Sequence, residues 1–171
     1  MRKRFQWCLV GAAVGGLFAG ANLVATAVQA TPSTATTTQL AEGILPPMGM
    51  NATGKTLDGK HWSMLLRTRG LTDGYVIDNK FAPGQTSGWH SHPGPSIVYV
   101  VAGSITNYAS TQLNCAGVTY SAGTEFVDEG GTDVHLLSND GTVPAETIAV
   151  QFIPDGQQRR IDKPEPANCH I

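Results

Sequence analysis

Two histidines one residue apart, His90 and His92, stand between a Pro83-Gly84 turn and the β-branched run Ser96-Ile97-Val98-Tyr99-Val100-Val101. Strand side chains alternate faces with a period of two, so such a pair shares a face on an extended strand and splays apart on a helix. On a strand inside a barrel the pair would present two imidazole nitrogens to one point, as a metal site requires. Further on, His135-Leu136-Leu137-Ser138-Asn139 could supply a third imidazole from another strand. The expectation is that His90, His92 and His135 converge on a metal inside a small β-barrel. His61, beside Lys60 in a turn, and His170, at the chain end, have no such partners and are read as ordinary.

The rest of the chain fits that frame. Short segments rich in β-branched and aromatic residues run from Trp62 to Leu66, Gly74 to Phe81, Ser96 to Val101, Ser104 to Ala109, Val118 to Tyr120, Glu125 to Val127, Asp133 to Ser138 and Glu146 to Ile153. Gly-, Asn- and Asp-bearing turns separate them, among them Asp58-Gly59 and Asp73-Gly74. Ala102-Gly103 reads as a tight hairpin. Beyond the leader no segment sustains a 3.6-residue apolar period, which leaves an antiparallel sandwich or barrel as the architecture. Met48, Met50 and Met64 are read as gap-filling residues rather than as a metal set.

The first thirty residues differ in kind. Arg2, Lys3 and Arg4 precede an uncharged stretch from Trp7 to Val28, and Val28-Gln29-Ala30 offers a small-residue cleavage point before Thr31. Residues 1–30 therefore read as a secretory signal peptide, the alternative being an uncleaved membrane anchor. Residues 31–39, rich in Thr and Ser, read as a disordered linker. Residues 40–171 read as one domain, its polar, Pro-rich stretch from Pro154 onward as a tail lying along the barrel and stapled by Cys169. Loss of the leader takes three of the 11 basic residues and leaves 8 against 13 acidic ones, a net charge of −5. A mildly acidic domain without a Lys/Arg cluster is a poor nucleic-acid binder. The one adjacent basic pair, Arg159-Arg160, is read as a solvated strand end. Cys115 and Cys169 remain after cleavage, an even number suited to an oxidising, secreted or periplasmic compartment. They are read as a disulfide closing a 54-residue loop, against the alternative of two free thiols.

With these residues in view, the sequence resembles the cupin superfamily of double-stranded β-helix, or jelly-roll, barrels. The first family motif appears as Gly84, five residues, His90-Ser91-His92, three residues, Ser96 where the family carries glutamate, six residues, and Gly103. The second appears as Gly123, five residues, Glu129-Gly130-Gly131, three residues where the family has two, His135 and Asn139. The motifs span 84–139, and a looser likeness extends to about residue 153.

The resemblance implies that His90, His92 and His135 are ligands of one divalent transition metal, whether iron, zinc, manganese, nickel, cobalt or copper. It also implies an all-β cupin barrel that takes a small-molecule ligand; oligomeric state stays open, a homodimer sharing edge strands being common in the family. Ser96 stands where a carboxylate often coordinates, and could hydrogen-bond a metal-bound water. Glu125, or with less weight Asp128, could restore the missing acid from a neighbouring strand. By alternation Val98, Val100 and Leu137 face the cavity, and either Val150 and Phe152 or else Gln151 joins them. Trp89 and Tyr99 face away, as packing or dimer-surface residues. Two classes of function follow: a metal-dependent enzyme, of dioxygenase or isomerase type, or a non-catalytic extracytoplasmic module that binds a metal or small metabolite.

Overall fold

The structure, a computed structural model, describes residues 29–171. The expected signal peptide lies outside the described residues except for its last two positions. Twelve strands carry the fold: β1 (Thr36–Leu45), β2 (Gly49–Lys55), β3 (His61–Arg67), β4 (Thr72–Phe81), β5 (His90–Ser91), β6 (Ser96–Ala102), β7 (Ser104–Ala109), β8 (Val118–Ser121), β9 (Glu125–Asp128), β10 (His135–Ser138), β11 (Ala145–Pro154) and β12 (Ile161–Asp162). The helical content of the described residues is one 3-10 turn, Leu113–Cys115, and none of their helices is long and apolar enough to cross a membrane.

The strands form two five-stranded antiparallel sheets, in the orders β1-β4-β11-β6-β9 and β12-β5-β10-β7-β8, with β2 and β3 as a separate hairpin. Ten-residue β11 shows the alternation that builds such a barrel. Ala145, Thr147, Ala149, Gln151 and Ile153 are buried, and the residues between them are half-buried. One face thus meets the core, which gathers Ile77, Phe81, Val98, Ile105, Phe126, Leu137, Ala145 and Ala149. Burying an aliphatic or aromatic side chain of this size contributes about 1.5–3 kcal/mol against leaving it in water.

Two sequence expectations are corrected here. Ala102-Gly103 is no hairpin. β6 pairs with β9 and β11, whereas β7 pairs with β8 and β10, so the chain changes sheets at Gly103. Gly103 has φ 65°, and a Cβ there would lie 2.5 Å from the Pro144 carbonyl oxygen, so only glycine fits the corner. Residues 31–39 are no disordered linker. Thr31 N donates to Lys163 O, Thr34 N and Ala35 N donate to Thr86 O, and from Thr36 the chain is β1, paired along β4. Threonine is β-branched as well as polar, and at a sheet edge that stiffness decides.

A second, smaller core packs Trp89, Leu136, Cys115 and Cys169 together, Leu136 lying on the face of β10 away from His135. Trp89 is therefore a packing residue, only 2% exposed, while Tyr99 stands on the outer surface. The expected disulfide joins Cys115 to Cys169 and folds the C-terminal tail back across the barrel. In the chain-entropy account a loop of this length is worth about 4 kcal/mol. Replacing both cysteines by serine should lower the unfolding free energy by up to about that amount. Urea unfolding of the oxidised parent and the double variant checks it, and equal midpoints would show that the tail is held without the bond.

Candidate metal centre

The site begins with a cross-strand register. β5 and β10 pair antiparallel with His135 opposite His90, so the two rings rise side by side, their centroids 4.3 Å apart. Two residues along, His92 returns to the same face, its ring centroid 4.8 Å from that of His90 and 5.4 Å from that of His135. One ligand atom from each ring lies within 4.8 Å of the others, and all three residues are buried. His90 Nδ1 meets the Gly88 carbonyl at 2.9 Å and His92 Nδ1 meets the Arg159 carbonyl at 2.7 Å. A carbonyl only accepts, so each Nδ1 carries the proton and each Nε2 keeps its lone pair. At His135 a weak contact with the Asp133 backbone falls short of hydrogen-bond geometry and leaves Nδ1 unpartnered.

Facing this row, the first sheet presents a polar row of its own. Gln151 on β11 is opposite Ser96 on β6, and Ser96 is opposite Asp128 on β9. All three are buried. Gln151 Nε2 donates to Ser96 Oγ at 2.9 Å and lies 3.5 Å from His92 Nε2. Asp128 Oδ1 accepts from Gly130 N at 2.8 Å, while Oδ2 stands 3.7 Å from both His92 Nε2 and His135 Nε2 and has no hydrogen-bond partner.

This corrects the expectation for the acid. Glu125 is exposed, because β9 alternates and its inward positions are Phe126 and Asp128. The carboxylate that the motif lacks at Ser96 is instead supplied from the next strand, by the residue opposite it. Ser96 itself is tied to Gln151. The inner face of β11 carries Gln151, with Val150 and Phe152 on the other side. Val98 and Leu137 line the cavity as expected, while Val100, opposite the register shift in β11, is buried without lining it. Asn139, the last residue of the second motif, is structural: its Nδ2 donates to Phe81 O and Val143 O, and its Oδ1 accepts from Gly141 N.

Sequence reasoning also missed Arg159 and Arg160. The tail lays both against the cavity, where Arg159 Nη1 donates to Gln151 Oε1 at 3.0 Å and Arg160 Nη2 to Ser87 O at 2.6 Å. The cavity is small, about 50 Å³, with an apolar floor of Ile77, Val98, Phe126, Leu137 and Ala149.

Burial pushes all three imidazoles toward the neutral form. For His90 it is the largest cause, with the neighbouring His135, Arg160 and His92 adding to it, and it holds the pKa well below the ordinary value. Burial likewise lowers His92 to about 4. His135 is lowered by burial against the opposing pull of Asp128. Neutral imidazole is the form that binds a metal. The donor set passes a second test of fit. Atoms about 2.1 Å from a shared ion stand roughly 3–4 Å apart, and the unpartnered Asp128 Oδ2 lies within that range of two imidazole nitrogens. A buried carboxylate oxygen without a donor is costly unless a cation faces it.

These shifts set the pH response of the metal-free protein. Between the ordinary histidine value of 6.5 and the value of about 4 for folded His92, the unfolded chain binds a proton that the folded chain refuses. Stability present above the upper limit should therefore drain away as pH falls toward the lower one, by on the order of 3 kcal/mol for His92 alone. Urea unfolding at about pH 7.5 and about pH 4.5 tests this. The loss should shrink in His92→Gln, and a parent with no loss would contradict it.

No protein-family model matches the chain, and no curated protein is significantly similar to it. Solved structures are similar to it over part of the barrel. They include an oxalate oxidase in complex with the substrate analogue glycolate (25% identity, TM-score 0.41, covering 46% of this chain and 41% of that one). A cupin superfamily protein from Desulfitobacterium hafniense matches at 11% identity and TM-score 0.41, covering 47% of this chain and 67% of the other. A conserved double-stranded β-helix protein from Klebsiella pneumoniae matches at 18% identity and TM-score 0.44, covering 67% and 85%. The chain thus spans less than half the length of the oxalate oxidase that it matches. Two facing antiparallel sheets, with both histidine motifs on adjacent strands of one of them, give this chain the fold of a double-stranded β-helix.

Proposed function

We propose that the chain is an exported cupin that holds one divalent transition metal through His90, His92 and His135, with Asp128 as a fourth, carboxylate ligand, and acts on a small molecule there. The observation that carries this reading is the unpartnered Asp128 Oδ2 placed 3.7 Å from the Nε2 atoms of both His92 and His135. Three imidazoles and one carboxylate suit manganese, iron, cobalt, nickel, copper or zinc, and disfavour magnesium, which prefers an all-oxygen shell. Such an ion supplies Lewis acidity or, if redox-active, a site for dioxygen. The protein does the rest. Gly88 O and Arg159 O fix two ring orientations, Gln151 offers an amide donor beside His92, and the apolar floor excludes water.

If Asp128 is a ligand, no titratable side chain free to act as a general base lines the cavity among the described residues. That weighs against an isomerase, which must move a proton, and favours oxygen-dependent chemistry. It equally supports the second reading, a metal- or metabolite-binding module without turnover. Export is supported by the basic-then-apolar first thirty residues and by the disulfide. The β2–β3 hairpin exposes Met50, Trp62 and Met64 on one face, an apolar surface that suits a homodimer.

Elemental analysis of the purified protein should find about one metal per chain, and His92→Ala should lose it with the β signal in circular dichroism retained. Asp128→Asn should weaken metal affinity by at least about tenfold while Glu125→Gln leaves it unchanged. A full metal equivalent in His92→Ala, or equal affinities in the two acid variants, would remove the residue concerned from the ligand set. Oxygen uptake by the iron-loaded protein, with small organic acids and phenols supplied, separates the enzyme from the binding module.

A further inference from the structure

Two charges at the cavity are left unused by the metal reading. Arg159 and Arg160 are adjacent in sequence, and both line the cavity. Arg160 is partly answered by Asp162, 2.7 Å from its Nε. Arg159 is half-buried, has the Tyr75 ring 6.0 Å from its Cζ, and makes one side-chain hydrogen bond, to the uncharged Gln151. No carboxylate lies within ion-pair distance of it among the described residues. Burial and the neighbouring Arg160 both act against its charge. A guanidinium stays protonated under such pressure, so the cost is carried rather than relieved. With a divalent ion in place the cavity would hold one carboxylate, Asp128, against that ion and two guanidiniums. The excess is positive, and a ligand has to supply the balance.

We infer that the cavity takes a small organic carboxylate, bound between the metal position and the Arg159 guanidinium. This deepens the metal reading and rests on it. The planar guanidinium fork matches a carboxylate in shape as well as in charge. Gln151 keeps it turned inward, since its Oε1 accepts from Arg159 and its Nε2 points toward His92 and Ser96. The volume, about 50 Å³, limits the ligand to a few non-hydrogen atoms, and the apolar floor suits a short uncharged remainder.

The test uses the full chain loaded with cobalt, titrated with propionate and with neutral propionamide, and followed by the visible cobalt spectrum and by calorimetry. Propionate should bind at least about tenfold more tightly than propionamide, and Arg159→Gln should erase about tenfold of propionate affinity. Cobalt affinity, measured by chelator competition, should not fall in that variant, because His92 is held by the Arg159 backbone carbonyl and loss of the guanidinium removes a repulsion against the ion. Arg159→Lys, which keeps the charge but not the fork, should recover part of the loss. Equal binding of acid and amide, or unchanged propionate affinity in Arg159→Gln, would overturn the inference with the metal site intact. Failure to take up cobalt would instead count against the ligand set. Titration of the metal-free chain then decides: Arg159-dependent binding of propionate sustains the carboxylate assignment, and its absence ends it.

Discussion

The pairing of His90 with His135 across β5 and β10 is the contact on which the centre depends. A shift of one residue in that register would turn one histidine out of the barrel, because strand faces alternate. β5 is only two residues long and cannot hold its register alone. It is clamped from both sides, by β10 on one edge and by β12, where Ile161 faces Ser91 and Asp162 faces His90, on the other. The approach to β5 is fixed as well. Ser87 N donates to Leu137 O and Leu137 N to Ser87 Oγ, so the loop before the histidines is laced to β10 ahead of the pair itself.

The C-terminal tail is therefore part of the site. Arg159 O receives the His92 Nδ1 proton, Lys163 N donates to Trp89 O, and β12 closes the edge of the histidine sheet. The Cys115–Cys169 bond fastens the far end of this segment beside Trp89, within the second core. The first of the described segments joins the same assembly, since Thr31 N donates to Lys163 O and Thr31 packs on Gly88. Gly88 has φ 67°, and a Cβ on it would stand 2.3 Å from Thr31 O, so that close approach exists only because the residue is glycine. Two segments more than 120 residues apart in sequence thus brace a two-residue strand.

How much of this could be read from residues alone depended on whether the information was local. The H-x-H spacing, the β-branched run after it and the cysteine pair each carry their meaning within a few residues or by parity, and each was legible. Asp128 was not favoured because the choice between it and Glu125 turns on which parity of β9 faces inward. That parity is set by the pairing of Ser96 with Asp128, a contact 32 residues apart in sequence. Phe126, two residues from Asp128, was the available hint, since a buried aromatic and the acid share a face. The corner at Gly103 was missed because a glycine between two strands looks the same whether the chain reverses within a sheet or leaves it. Arg159-Arg160 was misjudged because the course of a Pro-rich tail has no local period. The tail stapled to the barrel by Cys169 was legible, but that bond places the end of the tail and not its two arginines.

The two rows that face each other inside the barrel divide the electrostatic work. Burial keeps protons off the histidines, and for His90 the charge of Arg160 works in the same direction. Asp128 pulls the other way on His92 and His135. A cation between the rows relieves both: it takes the lone pairs that burial has preserved and gives the unpartnered Asp128 oxygen a counter-charge. That relief leaves the guanidiniums less well off, since another positive charge now shares their low-dielectric surroundings. Cation binding and anion binding in this cavity are thereby coupled with a definite sign, each lowering the cost of the other.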